Sequence, residues 1–173
     1  GYASFPGGPP GEDGIVVRHN LVGNNGTSTG LGRTTTHELG HWFGLYHTFN
    51  NGCGVDTCSS GDFVCDTPPQ AAPSYTCVTL NTCANDVPDV ADLKENYMNY
   101  TPDLCMDMLT IGQKQRMHAT LDTIRTLIWS QGNLVFTGCD TAYVTPSTCP
   151  VVADFVSLNR SICTGSSISF MDR

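Results

Sequence analysis

Basic residues are scarce in this chain. Lys and Arg number 8 against 16 Asp and Glu, a formal charge of -8. So acidic a chain lacks the positive patch that nucleic acid or an anionic membrane requires, and it suits cations or basic partners instead. Charged residues of either sign reach only 14%, while Gly and Pro together supply 28 positions (18 and 10), which predicts a loop-rich fold. No stretch approaches the ~20 apolar residues of a membrane span. A secretory leader is also lacking, so residue 1 is expected to follow processing or to lie inside a longer chain. Cysteine is not scarce. Nine cysteines in 173 residues read as disulfides and place the protein outside the cytoplasm, with one cysteine left over. The length suits one ordinary domain plus a remnant.

The chemistry concentrates in His37-Glu38-Leu39-Gly40-His41-Trp42-Phe43-Gly44-Leu45-Tyr46-His47. His37 and His41, four residues apart, share one face of a helix and can converge on one metal ion. Glu38 stands beside them as a base for a metal-bound water. His47 would lie about 9 Å further along and about 240° round in a continuous helix, out of reach. Gly44 can take the left-handed conformation that ends a helix, letting the chain swing His47 back. Three imidazoles and a water make a four-coordinate catalytic zinc. H-E-x-x-H alone arises by chance. The glycine and third histidine at fixed offsets make the metzincin signature, which calls for a methionine turn further on. The competing reading, a surface helix with satisfied histidines, does not explain those offsets.

Along the chain, residues 1–14 read as a strand end and loop, Ile15–Val17 as a short strand, and 20–32 as a polar loop. The active-site helix is expected over Thr34–Gly44, with Leu39, Trp42 and Phe43 toward the core. Its Thr run is a poor helix former. Residues 51–69 cluster Asp, Thr and Gly in a loop. Composition leaves open whether that loop is merely solvated or supplies oxygen ligands to calcium. Met98, in Glu95–Thr101, falls where the methionine turn should be. Tyr100 then stands two residues on, able to donate to a developing oxyanion. Thr110 and Gln113 form a capping box for a helix expected to run to Ser130. Met117, Leu121, Ile124 and Ile128 mark its apolar face, and Gly132-Asn133 its end. Leu134–Phe136 reads as a strand or extended tail. His19 and His118 read as surface or structural residues. Residues 141–150 form a Thr/Pro/Ser-rich linker, and 151–173 open a β-type pattern too short to be a domain.

Gly32–His47, the Asp66-Thr67-Pro68 triplet, Asn96–Tyr100 and Thr110-x-x-Gln113-x-x-Arg116-Met117 together resemble the pappalysin family of metzincins, in its secreted microbial branch. The resemblance covers residues 1–139. It implies an α+β zinc protease domain over 1–140, with an active-site helix, a Met-turn and a C-terminal helix. The N-terminal part of the upper subdomain is expected to be missing, and so is a pro-segment. It also implies structural calcium held by Asp62, the carbonyl of Cys65, Thr67 and Asn51. The implied disulfides are Cys53–Cys83 and Cys77–Cys105. Cys58–Cys65 and Cys139–Cys149 are expected beside them, leaving Cys163 odd. Residues 151–173 resemble the start of a PKD-like β-sandwich domain.

The expected function is a secreted zinc-dependent endopeptidase acting on protein or peptide substrates, with no nucleic acid and no membrane span. Glu38 is the base and Tyr100 the oxyanion donor. Asp103, just after the Met-turn, is expected in the S1′ pocket, where a carboxylate favours Arg or Lys at P1′. The competing reading is a solvated loop aspartate. Two alternatives stand beside this reading: a zinc- and calcium-stabilised adhesion module, and an inactive fragment of a larger protease. A purely structural site has no need of Glu38.

Overall fold

In the computed structural model, residues 1–23, 30–54, 58–59, 61–84 and 88–139 are described. The linker 141–150, the PKD-like stretch 151–173, Cys149 and Cys163 lie outside them. The chain divides into two compact units, 1–128 and 129–173.

In the first unit, Tyr2–Ala3 (β1) pairs antiparallel with Ile15–Val16 (β2), Tyr2 opposite Val16. A ribbon this short has no independent stability. It lies against helix α1, Arg33–Trp42. Among the described residues this is the one sheet, so the fold is helices and long loops around a minimal strand pair.

The Thr-rich start of α1 has no capping side chain of its own, because Gly32 precedes it at φ +79°. A distant carboxylate does the work. Asp103 Oδ2 accepts from the backbone N–H of Leu31 (2.8 Å) and Arg33 (3.2 Å). That satisfies free donors and places negative charge at the positive helix end. At the other end Gly44 takes φ +88°. Its N–H donates to the His41 carbonyl, and Leu45 N–H donates to the Gly40 carbonyl, the paired bonds of a Schellman stop. The helix ends two residues earlier than expected. Leu39, Trp42 and Phe43 are only half-buried, while His37, Glu38, Gly40 and His41 are buried. The inward face of α1 is its chemical face, because β1 and the Met98 loop close over it.

Helix α2 (Ile111–Thr123) opens on the anticipated capping box. Gln113 N–H donates to Thr110 Oγ1, and Thr110 N–H donates to Gln113 Oε1. It stops well short of Ser130, because Ile124 and Arg125 N–H both turn onto the Thr120 carbonyl and Arg125 points inward. The supposed apolar face is also corrected. Gln113 and Thr120 are buried, whereas Ile124 is 55% and Ile128 37% exposed. This helix applies its polar side to carbonyls and amides of the site region. After a 3-10 turn at Thr126–Trp129 comes α3, Gln131–Thr137, in the second unit. Gly132-Asn133 therefore begins a helix instead of ending one, since Ser130 Oγ accepts from Asn133 N–H. Leu134–Phe136 is helical, with Gly138 as the left-handed stop.

The first unit's interior is rich in amides. Asn96, Asn99, Gln70 and Gln113 are fully buried, as are Leu45 and Met98. Asn96 and Gln113 exchange two side-chain hydrogen bonds, and so do Asn99 and Gln70. Buried amides are tolerable only when paired this fully. The two clasps flank Met98. Disulfides Cys53–Cys83, Cys58–Cys65 and Cys77–Cys105 tie down the loops. Cys139 is free and exposed among the described residues.

Candidate metal centre and active-site cleft

The Schellman turn delivers His47 to the other two histidines. The three Nε2 atoms lie 3.0 to 3.2 Å apart. Tetrahedral zinc with bonds of ~2.0–2.1 Å holds its nitrogens only a few tenths of an ångström further apart. Two backbone carbonyls fix the rings. His37 Nδ1 lies 2.6 Å from Tyr97 O, and His41 Nδ1 lies 2.8 Å from Leu45 O. A proton on each Nδ1 satisfies those carbonyls and turns both Nε2 lone pairs inward. Converging lone pairs without a proton between them call for a cation, so the residues fit zinc. Burial pushes the His37 imidazole down to about 4, and burial with the neighbouring imidazoles pushes His47 down to about 3. Both rings stay neutral, as ligands must.

A cleft of about 540 Å³ opens over this group, lined among others by Glu38, Tyr100, Tyr75 and Asp103. Glu38 is 5% exposed. Met98 lies fully buried beneath α1, so close that a Cβ on Gly40 would overlap its sulfur. The Tyr100 ring lies 4.8 Å from His47. Partial burial raises the Tyr100 phenol above its ordinary value, with Tyr75 and Glu38 adding in the same direction, so it keeps its proton for donation. Asp103 lines the cleft, but its Oδ2 is engaged as the cap of α1. His19 and His118 are exposed, away from the metal group.

In the loop expected to hold calcium, Asp62 is 4% exposed. Its Oδ1 accepts from Val64 N–H and Thr67 Oγ1, while Oδ2 is buried without a hydrogen-bond partner. Burial pushes this carboxyl up to about 6. Asn51 donates to the Gly61 carbonyl, and Cys65 lies on the same loop in its disulfide with Cys58. Phe63 sits at φ 61°, a strained conformation for a bulky residue, and Asn51 at φ 58°, which asparagine tolerates. An orphaned buried carboxylate oxygen in a strained loop fits a hard cation.

Sequence reasoning missed the carbonyls of Tyr97 and Leu45, the amide clasps, and Asp103 as a cap. Gly40 carried a usable signal, since a mid-helix glycine implies close approach.

Two histidines one turn apart on a helix, a left-handed glycine and a third histidine on the returning chain define a zinc-metalloprotease type of centre. The peptidase M43 family model, described as pregnancy-associated plasma protein-A, matches residues 1–122. The chain belongs to that family, the pappalysins. It is 43% identical over 133 residues to an extracellular metalloprotease of Colletotrichum graminicola, covering 72% of this chain and 45% of that protein. It is 42% identical over 125 residues to extracellular metalloprotease 1 of Coccidioides posadasii, covering 68% and 43%. Among solved structures it is similar to mature mirolysin of Tannerella forsythia in complex with a cleaved peptide. There the TM-score is 0.59 at 37% identity, over 70% of this chain and 47% of that one. The chain thus spans less than half the length of these relatives.

Proposed function

We propose that this chain carries the catalytic centre of a secreted zinc endopeptidase, with residues 1–140 as its catalytic part. The observation that carries the reading is the convergence of the His37, His41 and His47 Nε2 atoms within 3.2 Å of one another. Extracellular location accords with the names of the relatives and with the three disulfides among the described residues. Among the described residues no helix is long and apolar enough to cross a membrane.

His37, His41 and His47 would hold zinc through their Nε2 atoms, and the ion would supply Lewis acidity toward the scissile carbonyl and lower the pKa of a water. Glu38, buried at the edge of the cleft, takes the water's proton and returns it to the leaving amine. The Tyr100 phenol donates to the developing oxyanion. Met98 forms the floor under the helix that carries His37 and His41. Asp103, which lines the cleft while its Oδ2 caps α1, would pair with an Arg or Lys after the scissile bond. Asp62, Thr67, the Cys65 carbonyl and Asn51 would hold structural calcium, which would take up the stranded Asp62 Oδ2.

The test is cleavage of a peptide library by the parent chain and by Glu38→Ala, with zinc content measured in both. Chelator-sensitive cleavage by the parent and none by a variant that retains its zinc is expected. Undiminished cleavage by Glu38→Ala refutes its role. Zinc binding without cleavage by the parent favours the inactive-fragment reading, which the chain's share of its relatives' length motivates.

A further inference from the structure

His37 and His41 are anchored twice, by the helix they stand on and by the carbonyls that hold their Nδ1 atoms. His47 has neither support. It lies beyond the helix, and among the described residues its Nδ1 makes no hydrogen bond. Its ring stacks on Phe49 at 4.7 Å, 8° from parallel. Stacking sets the plane of the ring, and it leaves the position along that plane to the backbone of residues 44–47.

His41 Nδ1 holds the Leu45 carbonyl and Phe5 stacks on Tyr46 at 5.1 Å; among the described residues the Gly44 carbonyl, at the hinge, is held by one side chain. Arg116, on α2, donates Nε–H to the Gly44 carbonyl at 2.7 Å. Its guanidinium lies 5.1 Å from the centre of the Tyr46 ring. Its Nη1 reaches the Phe63 carbonyl at 3.4 Å. Gly44 is the left-handed hinge of the turn, Tyr46 directly precedes His47, and Phe63 directly follows Asp62. One planar group thus holds the hinge, the residue before the third ligand, and the Asp62 loop. The Gly44 carbonyl needs such a donor, because groups just past a helix end have no helical partner. Arg125 grips the neighbouring Trp42 carbonyl at 2.8 Å. It ties that carbonyl to Asp13 and Ser4 and, among the described residues, makes no bond to residues 44–47.

We propose that Arg116 is a positioning residue that sets the zinc affinity of this chain by fixing the Gly44–His47 turn, in a role lysine cannot fill. The proposal rests on the zinc reading above. Lysine keeps the charge but loses the planar fork that hydrogen-bonds a carbonyl while stacking on an aromatic face. Loss of a group that orients a ligand typically lowers metal affinity about 10- to 100-fold.

The experiment uses the full chain and measures zinc affinity by competition with a chromophoric chelator. The visible spectrum of the cobalt-substituted protein and the melting of the metal-free protein are recorded alongside. Arg116→Lys is expected to weaken zinc about 10- to 100-fold and to change the cobalt bands as the third ligand shifts. Tyr46→Leu removes the stacking platform and leaves the Gly44 bond, so about a two- to fivefold loss is expected. A merely structural role would lower melting alone and leave affinity and spectrum of the folded protein unchanged; that result overturns the proposal. If Arg116→Lys does not fold, Tyr46→Leu decides, and unchanged zinc affinity there overturns the proposal. A parent chain that takes up no zinc overturns both this proposal and the zinc reading. A zinc-binding parent with unaltered variants overturns the Arg116 role alone.

Discussion

Gly40→Ala sets two effects of known sign against each other. Gly40 lies inside α1, one residue before His41, with ordinary helical backbone. On propensity alone alanine would stabilise by about 1 kcal/mol. Packing opposes it. A Cβ at this position would overlap Met98 Sδ, lie 3.1 Å from Met98 Cε and meet Leu45 Cδ1 at 3.5 Å. Methionine is flexible, but Met98 and Leu45 are both 0% exposed, so the sulfur has no solvent to move into. Overpacking of this kind costs about 1–3 kcal/mol. The net expectation is a destabilisation of about 0–2 kcal/mol, or up to roughly 8 °C in Tm at 2–4 °C per kcal/mol for a chain of this size. The assay is urea unfolding of the metal-free protein in a double-mutant cycle with Met98→Ala. Met98→Ala alone leaves a cavity and costs about 2–5 kcal/mol. In that background Gly40→Ala should become neutral or stabilising, a coupling of about 1–3 kcal/mol. If Gly40→Ala stabilises the parent, or if the two changes add within ~0.5 kcal/mol, the close approach of Met98 to the helix is not what requires glycine here.

Two other sites give separable outcomes. The Asp62 carboxyl is raised to about 6 by burial, against 3.8 when unfolded. In calcium-free protein its contribution is therefore fully present below pH 3.8 and is lost as pH rises through 6. His37, lowered to about 4 from 6.5, works in the opposite sense, losing stability as pH falls from 6.5. The difference between parent and Asp62→Asn isolates the carboxyl. The variant should gain on the parent as pH rises from 4 to 7 without calcium, and should lose any calcium-dependent rise in melting temperature; parallel pH curves would discard the buried carboxylate. Asp103→Ala removes the acceptor of the Leu31 and Arg33 N–H groups and should cost about 0.5–2 kcal/mol, as lost caps do. It should also flatten the proposed preference for Arg or Lys at P1′. A stability loss with an unchanged cleavage profile leaves the cap and discards the pocket.

The parts of this site that were legible in the sequence share one property: their partners are near neighbours in the chain. His37, His41, Gly44 and His47 fall within eleven residues, and the helix period with one left-handed glycine converts their spacing into geometry. The Thr110–Gln113 capping box is just as local. What escaped is long-range and polar. The N–H groups that begin α1 are satisfied by Asp103, 70 residues on. The turn that ends α1 is held by Arg116, 72 residues beyond Gly44. The loop bearing Met98 is clasped by Gln70 and Gln113. None of these has a hydrophobic period, because the side chains involved are amides, a carboxylate and an arginine. The same fact explains α2, which ends before Ile124 and Ile128 and leaves both exposed while its polar Gln113 and Thr120 are buried. A small domain with few aliphatic core residues has its interior specified by directional bonds. Each such bond fixes one backbone group to within a few tenths of an ångström, which is the tolerance that three imidazoles sharing one ion demand.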